Sequence, residues 1–321
     1  MPGLVTVAIP VRNGGRRLVE VLDAVRGQRC DREVEIVVVD SSSADGSADA
    51  ARAAGARVEV IAAGDFSHGG TRNRLMKLAQ GEHVVFLTQD AVPASEDWLE
   101  RLLAGFDLAD EVALVCGPYL PLPGTAFPVV RELRGWFDLL SPDGAPRIDR
   151  NPAARGPGPE AFFTDANGAV ARWAWERVPF RAVPYAEDQA LAVDMQRAGF
   201  AKVFVPDAAV VHSHEYGPLD QLRRTFDEFR ALREVHGWTA PLVPVNQLRG
   251  QLGGDWRELR AKGMPPRQLA RESVRSLRHW TVRAAGAAAG SRADRLPPGL
   301  RRLLSLERRA SFEPLDIAET P

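Results

Sequence analysis

The first half of the chain alternates short apolar runs with segments of helical periodicity. Four apolar runs predict β-strands, at residues 5–10, 35–39, 58–61 and 84–87. The second run is almost unbroken β-branched sequence, which is typical of a strand buried on both faces. Between the strands, apolar residues recur at three- and four-residue intervals and predict helices. The alternation predicts an α/β fold with a mostly parallel sheet flanked by helices.

The second half of the chain departs from this alternation. A Pro/Gly-rich segment at residues 142–159 predicts a mobile loop or lid. Two further strands are predicted at residues 162–171 and 203–211, on either side of a helix over residues 187–198. From Leu219 onward the periodicity is almost wholly helical, so we expect a helical extension after the sheet.

Composition narrows the class of protein. With 321 residues, of which 45% are hydrophobic and 26% charged, the chain has the make-up of a globular protein, and disorder of the whole chain is excluded. Its longest apolar runs, such as residues 112–117 and 284–290, are far shorter than the roughly 20 residues that cross a bilayer. No charged-then-apolar leader is present at the start, so we expect the protein in the cytoplasm.

The charge is divided unevenly along the chain. Up to Glu215 there are 22 basic and 30 acidic residues, whereas the rest of the chain has 19 basic and 12 acidic residues. The acidic part is suited to holding a cation. The basic part is suited to an anionic surface such as a membrane leaflet or a nucleic acid.

Two acids lie at the carboxyl ends of predicted strands, and ligands of open α/β sheets bind beyond these ends. Asp40 begins the string Asp-Ser-Ser-Ser-Ala-Asp-Gly, in which its carboxylate could accept hydrogen bonds from a base or a ribose. An ordinary turn with a helix cap explains the same string. Asp90 is suited to a divalent cation that bridges two phosphates, and a capping role before the next helix is equally compatible.

Further acids and two histidines lie in the second half. Glu187 and Asp188 open a helix, where the helix dipole stabilises them, and a carboxylate kept ionised there could act as a general base. His212 and His214 close a strand and lie on one face if the strand continues that far. Imidazole combined with carboxylate is suited to Mn²⁺ at least as well as to Mg²⁺, although a lone histidine is more often an ordinary hydrogen-bonded group.

A glycine-rich string precedes a third predicted helix. In His68-Gly-Gly-Thr-Arg-Asn73, backbone amides and the Arg72 guanidinium would favour a diphosphate at the helix N-terminus. The string does not have the spacing of a phosphate-binding loop that ends in Gly-Lys-Ser/Thr. A surface helix start explains it equally well.

Taken in order, these strings resemble the inverting family 2 glycosyltransferases with the GT-A fold, and within them the rhamnosyltransferase-like branch. The resemblance covers roughly residues 4–235. The strings that carry it are Ile9-Pro-Val-Arg-Asn13, Val38-Val-Asp-Ser-Ser-Ser-Ala-Asp-Gly46, Phe66-Ser-His-Gly-Gly-Thr-Arg-Asn73, Phe86-Leu-Thr-Gln-Asp-Ala-Val-Pro93, Ala186-Glu-Asp188 and Val211-His-Ser-His214.

The resemblance implies a role for each matching residue. The residues implied to bind the nucleotide are Pro10, Asn13, Asp40, Arg72 and Gln89. Asp188 corresponds to the catalytic base, and Asp90 and His212 correspond to ligands of Mg²⁺ or Mn²⁺, with Glu187 and His214 in support. Family members usually have Asp-X-Asp at the metal site. This chain has Thr88-Gln89-Asp90, a form familiar from the rhamnosyltransferase-like branch.

The resemblance also implies a domain arrangement. Residues 1–218 would form a Rossmann-like GT-A catalytic domain, with residues 1–118 as its nucleotide-binding half and residues 119–218 as its acceptor-binding half. Residues 219–321 would form the helical basic extension.

The implied reaction is transfer of a sugar from a nucleotide sugar with inversion at the anomeric carbon. The expected donor is dTDP-rhamnose or a UDP-sugar, and the expected acceptor is a cell-envelope polysaccharide, another glycan or a lipid-linked sugar. A protein that binds a nucleotide sugar without turnover is the alternative. A sugar nucleotidyltransferase is a weaker alternative, because its Gly-rich, Lys/Arg-containing opening loop is missing after Val11.

The basic extension contains a cationic stripe, since Arg267, Arg271, Arg275 and Arg278 recur at three- and four-residue intervals near Trp280. A further basic, leucine-rich segment follows at residues 300–309. Basic amphipathic helices of this kind lie on anionic membranes, so we expect peripheral contact with the inner face of the cell membrane. A solvated face packed on the catalytic domain is the alternative. Nucleic-acid binding is not expected, because aromatic residues are not interleaved with the basic ones.

Overall fold

The computed structural model describes residues 3–152, 157–183, 185–242 and 245–307. The strands are β1 (Val5–Val11), β2 (Val34–Asp40), β3 (Arg57–Val60), β4 (His83–Leu87), β5 (Val92–Pro93), β6 (Val112–Cys116), β7 (Tyr119–Leu120), β8 (Arg147–Asp149), β9 (Asn167–Ala171), β10 (Ala201–Phe204) and β11 (Val210–Val211). The helices are α1 (Gly15–Arg26), α2 (Ser47–Ala53), α3 (His68–Leu78), α4 (Trp98–Ala104), α5 (Phe127–Leu140), α6 (Arg172–Trp175), α7 (Glu187–Arg197), α8 (Pro218–His236), α9 (Val245–Ala261), α10 (Pro266–Gly290) and α11 (Pro298–Leu304).

The main sheet has the strand order β3-β2-β1-β4-β9-β6-β10-β8. Strands β3, β2, β1 and β4 are parallel, β6 is parallel to β10, and β9 and β8 run antiparallel to their neighbours. Successive residues of β1 face opposite layers: Val7 packs in the core formed with α1 and α4, and Ala8 in the core formed with α3 and α7. Burial on both faces explains the unbroken apolar runs, and the predicted α/β class is confirmed.

A small second sheet of β5, β11 and β7 lies beside the main one. It corrects the prediction of one strand over residues 203–211, because β10 belongs to the main sheet and β11 to the small one. The predicted strand at residues 162–171 begins only at Asn167. The buried Asn167 amide donates to the carbonyls of Pro118 (3.1 Å) and Ala208 (2.7 Å) and thereby holds the two sheets together.

The Pro/Gly-rich segment is only partly a loop. Its strand β8 pairs antiparallel with β10 at the sheet edge, and Asp149 of β8 accepts a hydrogen bond of 3.0 Å from the buried Lys202 ammonium. This corrects the prediction of a mobile loop over the whole of residues 142–159. Residues 153–156 of the predicted lid lie outside the described residues.

The region after Leu219 is helical, as the periodicity predicts. Helices α8 and α9 pack on α10, and α9 and α10 pack against α5. The buried carboxylate of Asp255 in α9 accepts hydrogen bonds from the indole of Trp280 (2.7 Å) and from Ser276, both in α10, and pairs with Arg131 of α5. Trp280 is only 7% exposed, which corrects its expected place on the cationic membrane-facing stripe. None of the described helices combines the length and the apolar character needed to cross a membrane.

Candidate active site

The carboxylate of Asp40 is buried at the end of β2. Its Oδ1 accepts a hydrogen bond from the backbone of Ser43 at 2.8 Å. Its Oδ2 is buried and meets no hydrogen-bond donor in the described part of the chain. Because an unpartnered buried oxygen costs about 1–3 kcal/mol, this atom is suited to a donor group of a ligand.

The loops after β1, β2 and β4 form one connected rim at the carboxyl ends of these strands. Pro10 lies in β1 and pairs in register with Val39 of β2. Asn13 adopts a left-handed conformation (φ 51°), and its Oδ1 accepts a hydrogen bond of 2.9 Å from the backbone of Ala44. The side-chain amide of Gln89 makes two hydrogen bonds to the backbone of Arg12. Its Oε1 accepts from the Arg12 N–H at 2.8 Å, and its Nε2 donates to the Arg12 carbonyl at 3.1 Å. The Gln89 amide therefore shapes this rim.

Asp90, His212 and His214 form a compact cluster of potential metal ligands. Antiparallel pairing of Val211 with Val92 brings His212 beside Asp90. Nδ1 of His212 lies 3.5 Å from Oδ1 of Asp90, and Nε2 of His214 lies 3.7 Å from Oδ2. One ligand atom from each residue lies within 4.8 Å of the others. The structure thus adds His214, expected only as support, to the two predicted ligands.

The chemistry of this cluster fits a divalent cation. Burial lowers the pKa of His212 to about 4, more strongly than the Asp90 carboxylate raises it, so the imidazole is neutral at physiological pH. Metal-binding histidines must be neutral. The Nδ1 atom of His212 is buried and makes no hydrogen bond in the described part of the chain. A carboxylate with two imidazoles is a donor set for Mn²⁺ at least as well as for Mg²⁺.

The acidic pair Glu187 and Asp188 stands at the first turn of α7, as predicted. The preceding Ala186 has φ 58°, a left-handed conformation that costs an alanine of order 1–3 kcal/mol. Burial and the neighbouring Glu187 charge raise the pKa of Asp188 to about 6. Burial also opposes ionisation of Glu187, but the positive charges of Arg72 and Arg224 contribute to outweighing it, so the pKa of Glu187 is lowered.

Arg72 lies buried beneath this acidic pair. Its Nη1 is 2.8 Å from Oε1 of Glu187, and its guanidinium also contacts the carboxylate of Asp165. Burial raises the pKa of Asp165 well above its ordinary value. The guanidinium thus compensates charge under the site, and the predicted contact of Arg72 with a diphosphate stays a prediction.

Tyr119 connects the metal ligands with the acidic pair. Its ring centroid lies 5.1 Å from that of His212. Its pKa is raised well above the ordinary value, first by burial and then by nearby negative charge that includes Asp188. The Tyr119 hydroxyl is hydrogen-bonded to Thr164, and the backbone N–H of the next residue, Asp165, donates to the Asp188 carboxylate. A short chain of contacts thus connects His212 with Asp188. The sequence analysis missed Tyr119, because β7 is too short to have a recognisable period.

The C-terminal segment also reaches the site. Asp227 of α8 accepts hydrogen bonds from the backbone N–H groups of Leu306 (2.7 Å) and Glu307 (3.1 Å). The Glu307 carboxylate lies 3.7 Å from Nε2 of His68 and 3.6 Å from the guanidinium of Arg224. No sequence pattern signals this contact, since it joins residues far apart in the chain.

Known glycosyltransferases are similar to this chain in sequence. The model of the family described as Glycosyl transferase family 2 matches residues 6–157. The O-antigen chain rhamnosyltransferase WbaN of Salmonella anatum is 31% identical over 228 residues, which cover 69% of this chain and 70% of that protein. The O-antigen chain rhamnosyltransferase RfbN of Salmonella typhimurium LT2 is 30% identical over 228 residues, which cover 70% of each chain.

Solved structures share the fold. The mannosyltransferase PcManGT from Pyrobaculum calidifontis, in complex with GDP-Man and Mn²⁺, superposes with a TM-score of 0.60 at 20% identity, covering 92% of this chain and 89% of its own. TarS residues 1–349 from S. aureus, in complex with UDP-GlcNAc, superposes with a TM-score of 0.52 at 15% identity, covering 92% of both chains. At this level of identity the likeness concerns the fold.

Proposed function

The chain belongs to glycosyl transferase family 2, and we propose that it transfers rhamnose from dTDP-rhamnose to a cell-envelope polysaccharide or lipid-linked glycan in a metal-dependent, inverting reaction. Glycosyltransferase activity follows from the family. The choice of rhamnose is supported by the two O-antigen chain rhamnosyltransferases at about 30% identity. The observation that carries the proposal is the short chain of contacts that leads from His212 through Tyr119, Thr164 and Asp165 to Asp188.

In the proposed reaction, the ionised Asp188 accepts the proton of an acceptor hydroxyl. The acceptor oxygen then bonds to the anomeric carbon while the bond from that carbon to the nucleoside diphosphate breaks. A single in-line attack inverts the configuration. Removal of the proton by a positioned base contributes typically about 10²–10⁴-fold to the rate.

Asp90, His212 and His214 would hold the divalent cation. Such an ion offsets the negative charge that grows on a departing diphosphate. Asp40 would accept hydrogen bonds from the nucleoside through its unpartnered Oδ2, with Pro10 and Asn13 beside it. In the proposal, Gln89 shapes this pocket by holding the backbone of Arg12.

The proposal includes peripheral membrane contact through α10. Val274 and Leu277 on this helix are 66% and 53% exposed, and Arg271 and Arg278 are exposed beside them. An apolar patch among cations is suited to the surface of an anionic leaflet. The buried Trp280 takes no part in this surface. Arg308 and Arg309, which the sequence analysis included in the basic segment, lie outside the described residues.

A donor screen tests the proposal. Thermal denaturation with Mn²⁺ is measured for dTDP, UDP, GDP and their sugar conjugates, since only a matched ligand stabilises the folded state by mass action. We expect dTDP-rhamnose to raise the melting temperature most. Asp40→Asn should weaken this shift, and Asp49→Asn, on the exposed side of α2, should leave it unchanged. A shift with GDP- or UDP-sugars alone contradicts the donor assignment.

A further inference from the structure

A cavity of about 240 Å³ opens between α5, α8 and α10, beside the proposed metal centre. His214 contributes to both: it lines the cavity, and its Nε2 lies 3.7 Å from Oδ2 of Asp90. Tyr216, which also lines the cavity, stacks on His214 with ring centroids 5.5 Å apart. The cavity therefore borders the proposed metal centre.

Several of the charged groups that line this cavity are paired with each other. The Arg283 guanidinium lies 2.5 Å from Glu132 and 2.9 Å from Glu228. Nε2 of His279 lies 2.8 Å from the Glu132 carboxylate, and the amide of Gln221 lies 2.8 Å from Nδ1 of the same ring. An anion in the cavity would have to compete with two carboxylates for Arg283.

Two further arginines of the lining have carboxylate partners just outside it. Arg275 lies 2.9 Å from Glu272, and Arg224 lies 3.6 Å from Glu307. The exposed Glu215 and Arg278 add one charge of each sign to the lining. The cavity is polar, and its positive and negative charges largely balance.

Such a surface is suited to a neutral ligand with many hydroxyl groups. Each carboxylate oxygen accepts more than one hydrogen bond, and a guanidinium has five N–H donors, so paired groups keep capacity for hydroxyls. The amide oxygen of Gln221 is not used by the network. The volume of 240 Å³ is below the roughly 300–1,000 Å³ of drug-sized pockets, which fits one sugar unit and not an extended chain.

We propose that this cavity binds one neutral sugar unit of the acceptor. The inference rests on the proposed function, because it assumes that a glycan acceptor meets the donor at Asp188 and the metal ligands. It assigns acceptor recognition to α8 and α10 of the extension together with α5. The acceptor site then reaches beyond the half at residues 119–218 expected from the sequence.

Saturation-transfer NMR on the full chain tests the inference. The probes are free rhamnose, galactose, mannose and glucose, with inorganic pyrophosphate as a competitor. Gln221→Leu removes the amide, and Arg278→Gln changes an exposed lining residue whose replacement leaves the core intact. Gln268→Leu is the matched control, because Gln268 is exposed on the same helix as Arg278 and does not line the cavity.

We expect at least one sugar to give a signal that falls about fivefold or more in Gln221→Leu and in Arg278→Gln but persists in Gln268→Leu. Inorganic pyrophosphate should not displace it. The absence of a signal from every sugar, a signal that both cavity variants retain, or displacement by pyrophosphate overturns the inference. Donor binding measured on the same samples separates the two proposals: a chain that binds dTDP-rhamnose but no sugar refutes only the acceptor site.

Discussion

At the scale of single residues, three neighbouring acids differ in charge because their surroundings differ. Asp165 is fully buried, which raises its pKa well above the ordinary value and favours the protonated form. Glu187 is equally buried, but it is kept ionised by the positive charges around it. Asp188 lies between these extremes, with a pKa raised to about 6. Neighbouring acids whose pKa values are separated by their surroundings are typical of sites in which one of them transfers a proton.

Replacing Asp188 by Asn should abolish sugar transfer and leave donor binding intact, because the amide cannot accept the acceptor proton. A loss of about 10²–10⁴-fold in kcat is expected, the usual contribution of a general base. Steady-state release of dTDP and the donor-induced thermal shift measure the two properties. The control is Asp194→Asn on the same helix. Transfer at the wild-type rate by the Asp188 variant would refute its role.

The raised pKa of Asp188 predicts a pH dependence with a defined sign. The base must be ionised, so kcat/KM should rise as the pH increases through about 6 and reach a plateau above it. Because the folded state holds this proton more tightly than the unfolded chain, its favourable contribution to stability is lost as the pH rises through about 6. Asp188→Asn should therefore melt at a higher temperature than the wild type at pH 8, with the difference shrinking below pH 6.

Chelation with EDTA should reduce activity, and Mn²⁺ or Mg²⁺ should restore it. Mn²⁺ alone should also raise the melting temperature, since a ligand at 100 times its Kd stabilises the folded state by about 2.7 kcal/mol. Asp90→Asn and His214→Ala should each diminish the shift, whereas Asp97→Asn at the nearby helix start should not. Full activity after chelation, with no thermal effect of Mn²⁺, would exclude the metal site.

At the scale of secondary-structure elements, the small sheet decides where His212 lies. β11 lies between β5 and β7 and pairs with both strands. β5 begins two residues after Asp90, and His212 directly follows β11, so this pairing brings the two side chains together. The turn between β6 and β7 approaches residue Ala208 so closely that only a glycine fits there. A Cβ on Gly117 would lie 1.9 Å from the carbonyl oxygen of Ala208. The placement of the metal ligands thus depends on this contact.

Gly117→Ala should lower the free energy of unfolding by about 1–3 kcal/mol, the usual range for overpacking a filled interior. It should also weaken the Mn²⁺-induced thermal shift, because the displaced strand carries His212. Gly135→Ala is the control: nothing lies within 4 Å of the added Cβ, and the helical position should gain about 0.5–1 kcal/mol. Denaturant unfolding measures both, and unchanged stability of Gly117→Ala would contradict this account of the turn.

At the scale of the whole molecule, the basic extension is joined to the sheet domain by buried polar contacts. Asp255 pairs with Arg131 of α5, and Arg283 of α10 bridges Glu132 of α5 and Glu228 of α8. The helices are thus held against the site while α10 keeps a basic surface. Among the described basic residues of this extension, Arg271 lies on its exposed surface, whereas Arg224 and Arg283 line the cavity beside the proposed metal centre.

The full chain should float with anionic vesicles and bind neutral ones weakly, and binding should decrease at high salt, which screens surface charge. The double variant Val274→Ser and Leu277→Ser should bind less. Leu108→Ser, which changes a 45% exposed leucine in the first half of the chain, should not. Equal recovery with neutral and anionic vesicles would rule out an electrostatic membrane surface.

The sequence alone predicted much of the fold and the candidate residues. The β-branched composition of a run such as β2 predicts a strand that is buried on both faces. Because Asp40 and Asp90 lie at the carboxyl ends of β2 and β4, the sequence also predicts that they share one edge of the sheet. These conclusions depend on neighbouring residues and on rules that hold for every parallel sheet. The α/β class follows from these rules, whereas the family was indicated by the resemblance of the ordered sequence strings to known glycosyltransferases.

Tertiary structure decided which distant residues meet. Periodicity predicts that a side chain is buried, but it does not predict which residues surround that side chain. The hydrogen bond from Trp280 to Asp255 is therefore visible only in the tertiary structure. In the same way, Arg72 proved to compensate Glu187, and His214 proved to stand beside Asp90. Such pairs are separated by tens of residues or more, and their contacts arise from the packing of whole elements, which a local pattern does not encode.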